Sequence, residues 1–91
     1  PDRAMRRPFI AGNWKMNLTR AEAVALATAV AKDAGKYSHV EIAVCPPYVY
    51  LEPTLAALAG SSVGVGAQNM YHEKSGAFTG EISAGMLVDL K

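Results

Sequence analysis

The chain has one cysteine, Cys45, in 91 residues. No intrachain disulfide is therefore possible, and a reducing compartment is the simplest setting. Long apolar runs are absent too: nothing approaches the roughly 20 residues of a membrane span. Arg6-Arg7 precedes only Pro8-Phe9-Ile10-Ala11, too short an apolar stretch for a secretory signal. Excess charge is missing, since nine Lys and Arg stand against eight Asp and Glu for a net +1. That balance gives neither a nucleic-acid stripe nor a polybasic membrane patch. His72 has no cysteine or carboxylate at ligand spacing, so no metal is expected there, and His39 reads as a helix or turn neighbour. No Walker motif or serine nucleophile elbow occurs. Gly64-Val65-Gly66 lacks the third glycine and the helix start of a dinucleotide site.

What remains is 51% apolar and 19% charged, a balance that suits a globular protein rather than a disordered one. The length allows one domain at most. Met5 looks like a natural start; residues 1–5 read as an extension and residues 6–91 as the domain.

Apolar strands alternate with helical segments. The first strand is Phe9 to Gly12 or Asn13. Thr19-Arg20-Ala21-Glu22 forms a capping box, and the helix behind it carries Val24, Ala27, Val30, Ala31 and Ala34 at helical spacing, with Gly35 as its stop. Val40 to Cys45 is a second strand, halted by Pro46-Pro47. A helix over about residues 50–59 tolerates Pro53 only in its first turn and ends at Gly60-Ser61-Ser62. Val63 to Gln68 is a third strand whose alternating glycines leave one face almost bare, so something must pack closely there. A long polar loop, Asn69 to Ile82, precedes a segment capped by Ser83 and running from Ala84 to Leu90. Strands joined by helical crossovers imply parallel pairing with right-handed connections. A doubly wound sheet and a barrel both remain open on this ground.

The chemistry-bearing stretch is Gly12-Asn13-Trp14-Lys15-Met16-Asn17. It places an amide and an ammonium at a strand's carboxyl end, where α/β proteins gather their reactive groups. If strand geometry continues, Asn13 and Lys15 share side-chain parity and point into one cavity. Taken alone, Lys15 reads more readily as a solvated rim residue than as a functional cation, and Asn13 has an Asx-turn or helix-capping role as its alternative. Trp14 packs rather than reacts. Cys45 reads as a buried strand-end thiol, and Glu81 as an ion-pair partner rather than a general base. The loop over residues 69–82 is too long for an ordinary connection, which suggests a task.

Ala11-Gly12-Asn13-Trp14-Lys15-Met16-Asn17 resembles the first-strand signature of the triosephosphate isomerase family. Cys45-Pro46-Pro47, Gly66-Ala67-Gln68-Asn69 and Gly76-Ala77-Phe78-Thr79-Gly80-Glu81-Ile82-Ser83 resemble that family as well, in order and in register. The resemblance implies a (β/α)₈ barrel of which this chain supplies the first three βα units, an incomplete α/β fragment with three parallel strands and their helices. It implies interconversion of dihydroxyacetone phosphate and glyceraldehyde 3-phosphate through an enediolate, without a cofactor, in a cytoplasmic, glycolytic setting. Lys15 and Asn13 would be catalytic, and Asn13, Trp14 and Lys15 would bind the triose phosphate. Met16, Asn17, Gly76, Phe78, Thr79 and Glu81 would lie at a homodimer interface formed through the loop. The glutamate base and histidine electrophile of the family have no counterpart here, so the 91 residues alone are expected to be inactive. Their expected partners are the rest of the barrel or further copies of the fragment, with no nucleic acid or membrane. An assembly or interaction module without catalysis is the competing reading.

Overall fold

A computed structural model describes residues 7–90. The expected extension over residues 1–5 lies outside the described residues. The elements are β1 (Phe9–Asn13), α1 (Arg20–Ala34), β2 (Glu41–Cys45), α2 (Leu51–Ala57), β3 (Gly64–Val65) and α3 (Ala84–Leu90). The strands form one parallel sheet in the order β1-β2-β3.

Local chemistry explains most boundaries. Thr19 Oγ1 accepts from the Glu22 amide at 3.2 Å while Glu22 Oε1 accepts from the Thr19 amide at 2.9 Å, so the capping box starts α1 as expected. Gly35 ends that helix, but in a right-handed conformation with φ −60°; the turn continues and the lysine amide at position 36 bonds Asp33 O. The second helix is shorter than its apolar pattern suggests. A 3-10 turn, Tyr48–Tyr50, leads into it, and Pro53 falls in its first turn, where no donor is needed. Gly60, at φ +84°, reverses the chain beyond it.

The third strand is the largest departure, two residues rather than six. Its pairing persists to the bond from Gly66 N to Val44 O at 2.9 Å. In a parallel ladder the next donor on β2 would be residue 46, which is proline and has no N–H. The ladder stops there.

Alternation sorts the sheet into two faces. Val44, Val63, Ile42 and Val65 pack in one core with Ala27 and Ala34 of α1 and with Leu58 beyond α2. Both helices therefore cover the same face, the arrangement of a barrel wall; a doubly wound sheet carries helices on both. The other face has Phe9 beside Glu41, then Ala11, Ala43 and Gly64, then Asn13 and Cys45. A Cβ added to Gly64 would meet Ala43 Cβ at 3.7 Å, and one added to Gly66 would meet Cys45 Sγ at 3.3 Å. The bare face thus has close cross-strand neighbours and, among the described residues, no second layer. Phe9 and Ile10 remain 63% and 60% exposed, because no β1 residue joins the core. The radius of gyration is 14.6 Å, against about 12 Å for a closed domain of this length. This is an open wall.

Candidate active site

The site begins where β1 ends. Asn13 lies on the uncovered face, in register with Cys45 at the carboxyl end of β2. Its Oδ1 accepts from the Lys15 amide at 2.9 Å, an Asx turn. Lys15 then adopts φ +56°. The extended geometry that would give Asn13 and Lys15 the same side-chain parity is therefore interrupted: the chain turns at Trp14 instead of running straight. The Asx turn uses the oxygen of the Asn13 amide and leaves its NH₂ as a donor without a protein partner among the described residues. Asn13 and Lys15 are both exposed.

Trp14 fixes this corner to the sheet. Its amide donates to Cys45 O at 3.1 Å, and its half-buried ring packs against the core, as expected of a packing residue. Asn17 Nδ2 donates back to Trp14 O at 3.0 Å. Met16 between them is 94% exposed. Leu18 follows at φ +83°, so two non-glycine residues within four positions are left-handed. Such backbone is costly and concentrates at functional sites.

A third strand end joins the first two. Gln68 Nε2 donates to Lys15 O at 3.0 Å and to Cys45 O at 2.9 Å. One side-chain amide therefore ties the ends of β1 and β2 to the chain leaving β3. Gln68 belongs to the Gly66-Ala67-Gln68-Asn69 motif, which by itself assigns it no role. The available signal was a polar residue closing an apolar strand, the same signal that marked Asn13.

The loop over residues 69–82 is internally organised. Tyr71 N donates to Ile82 O at 2.8 Å, and Tyr71 bridges Ser83, so the loop closes at its base. The Tyr71 and Phe78 rings lie 4.7 Å apart at 44°. Glu81 N donates to Phe78 O at 2.9 Å, and Gly80 sits at φ +90°, which makes residues 78–81 a type II turn. Thr79 is the exposed leading corner of that turn.

The remaining candidates fall away from the strand ends. His39 lies in the turn closed by Val40 N and Tyr37 O. His72 stands 3.3 Å from Glu73 on the loop surface, and among the described residues no three His, Cys, Asp or Glu side chains converge on a metal position. Cys45 is half-buried rather than enclosed, since the face it lies on is uncovered. A cavity of about 420 Å³ opens at the amino ends of the strands near Phe9, Val40 and Ser62, the opposite end from Asn13. Its ion pair, Arg7 with Glu41 at 3.5 Å, joins two chain segments at the foot of the sheet.

Comparison with known proteins matches residues 8–91 to the sequence profile of the family described as triosephosphate isomerase. The chain belongs to the triosephosphate isomerase family. It is 51% identical over 86 residues to the triosephosphate isomerase of Carboxydothermus hydrogenoformans, covering 94% of this chain and 34% of that protein. It superposes on the crystal structure of triosephosphate isomerase from Bartonella henselae with a TM-score of 0.82 at 40% identity, covering 93% of this chain and 35% of the other. The chain thus spans about a third of the length of these relatives, and its three parallel strands correspond to one section of the triosephosphate isomerase barrel. The one-sided helix layer is what that section requires, since barrel helices lie only outside the sheet. Among the described residues no helix is long and apolar enough to cross a membrane.

Proposed function

We propose that this chain carries the Asn13–Lys15 part of a triose phosphate isomerisation site, acting on dihydroxyacetone phosphate and glyceraldehyde 3-phosphate without a cofactor. The observation that carries the reading is the corner at residues 13–17, inside the span matched to the family, with the NH₂ of Asn13 unpaired among the described residues and Lys15 held left-handed at a strand's carboxyl end. Proton transfer between the two substrate carbons builds negative charge on oxygen, and fixed donors lower that barrier. Lys15 supplies a cation for the phosphate and the enediolate oxygen. At about 4 Å and an effective dielectric near 20, such a pair is worth roughly 4 kcal/mol before screening. Asn13 donates to the substrate oxygen without adding net charge, and the backbone at Trp14 borders the substrate.

Triosephosphate isomerase is itself a standard case of paired pKa tuning, with a glutamate base and a neutral histidine electrophile. Neither group has a counterpart at this corner. Glu41, the carboxylate on the same face, begins β2 four residues before Cys45, which puts it about 13 Å down the strand. The 91-residue chain alone is therefore proposed to be inactive. Its working form is proposed to be a cytoplasmic homodimer of complete barrels, with Met16, Asn17, Gly76, Phe78, Thr79 and Glu81 at the subunit contact. The internal order of the loop and its outward Thr79 support that part.

The test supplies the remaining two thirds of the Carboxydothermus relative as a separate polypeptide and assays conversion of glyceraldehyde 3-phosphate. Isomerisation by the mixture, absent from either piece and lost with Lys15→Met, is the expected outcome. Association without turnover would replace this reading with that of an assembly module.

A further inference from the structure

We infer that Gln68 is a positioning residue for Lys15, holding the lysine backbone in the left-handed conformation from which its ammonium serves the anionic substrate. This inference rests on the isomerase reading above. Lys15 is not glycine, yet it sits at φ +56°, a conformation that persists only when surrounding contacts over-determine it. Two contacts do so from opposite sides of the residue. The Asn13 side chain accepts from the Lys15 N–H at 2.9 Å, and Gln68 Nε2 donates to the Lys15 carbonyl at 3.0 Å.

The first contact is local, spanning two residues. The second spans 53, so it forms only once β3 has paired with β2. Its orientation is unambiguous. Both partners of the Gln68 amide are carbonyl oxygens, Lys15 O and Cys45 O, so the NH₂ must face them, one hydrogen for each. The two acceptors do not depend on Gln68 equally. Cys45 O also receives the Trp14 amide at 3.1 Å, and that bond would survive without Gln68. Lys15 O has no other partner among the described residues. Gln68 is exposed, so its loss leaves no cavity and little fold stability is at stake. The weight of its removal falls on the conformation of Lys15.

The test uses the two-piece enzyme described above. Gln68→Met keeps the length and removes both donors. Gln68→Glu keeps the shape but sets a carboxylate against two carbonyl oxygens. A displaced ammonium loses contact with the phosphate of the bound substrate and with the charge formed during reaction. KM should therefore rise and kcat fall together, lowering kcat/KM about 10- to 100-fold, with Gln68→Glu the more severe and the melting temperature little changed. A purely structural role would leave less active enzyme, a lower kcat at unchanged KM with a lower melting temperature, and that result overturns the inference. So does wild-type behaviour of either variant. Should the wild-type pair show no turnover, the isomerase reading fails separately. The Lys15 HN–Hα coupling of the isotope-labelled 91-residue chain then decides the matter. A left-handed value that Gln68→Met shifts toward extended sustains the positioning role, and an identical coupling in both chains ends it.

Discussion

Thr54 is the residue whose chemistry fits its surroundings least. It is fully buried in α2, the helix that packs on α1, and its Oγ1 has no hydrogen-bond partner among the described residues. A hydroxyl withdrawn from water without compensation is destabilising, and an apolar group of the same shape removes the defect. Thr54→Val should stabilise the chain by about 1 kcal/mol, raising the thermal midpoint by roughly 4–8 °C for a domain of this size. Circular dichroism on heating measures it, and a lower midpoint would mean the hydroxyl does have a partner. Tyr48 is the second case. Burial raises the pKa of its phenol above the ordinary value and the Glu81 carboxylate adds to this, while the nearby polar backbone of Asn69 opposes them. The folded pKa then exceeds the unfolded one. The stability linked to Tyr48 is complete below about pH 10 and is lost as pH rises through the folded value. Melting temperature should fall more steeply on the alkaline side for the native chain than for Tyr48→Phe. Parallel curves would show that this phenol does not sense folding.

Among the elements, the loop over residues 69–82 separates structure from assembly. Gly76 lies at φ +137°, and a Cβ there would come 2.7 Å from Phe78 Cε2. Gly76→Ala combines a disfavoured backbone with a clash, so Phe78 must leave its place against Tyr71. Proteolytic nicking between residues 72 and 80 should accelerate while the thermal midpoint stays nearly constant, because the loop contributes nothing to the core cluster. Thr79→Asp acts otherwise. The side chain sits at an exposed turn corner, so loop packing should survive; in the two-piece enzyme, dimerisation and turnover should weaken together. Unaltered sedimentation and activity would overturn the proposed place of Thr79 at a subunit contact. These elements also show what the sequence could reveal. The capping box at Thr19 and Glu22 was legible because both partners lie within four residues. The end of β3 was not, because it is set by a missing donor on another strand, Pro46. The corner at Lys15 departs from an extended path for a related reason: its residue types are legible in the sequence, but the Asx turn and the Gln68 bond at it are three-dimensional facts.

For the molecule as a whole, the pattern of apolar residues announced parallel strands and left the choice between two parallel architectures open. The choice is made by a property no single element has, namely that α1 and α2 lie on one side of the sheet. The opposite side carries the rung Ala11, Ala43 and Gly64, all small. A barrel interior is filled by side chains from all around the wall, so small residues here leave the volume to large ones opposite. Ala43→Leu puts this to the test. In the 91-residue chain the new side chain enters open space beside Gly64, and the fold should tolerate it with little change in circular dichroism or thermal midpoint. In the two-piece barrel the same side chain competes for volume already filled. Overpacking of that kind costs typically about 1–3 kcal/mol, so affinity for the remaining two thirds should drop roughly tenfold to a hundredfold. Isothermal titration of wild-type and variant chains gives the comparison. Equal affinities would mean that the small-residue face stays uncovered in the complex, and that the partner engages the exposed edge of β1 instead.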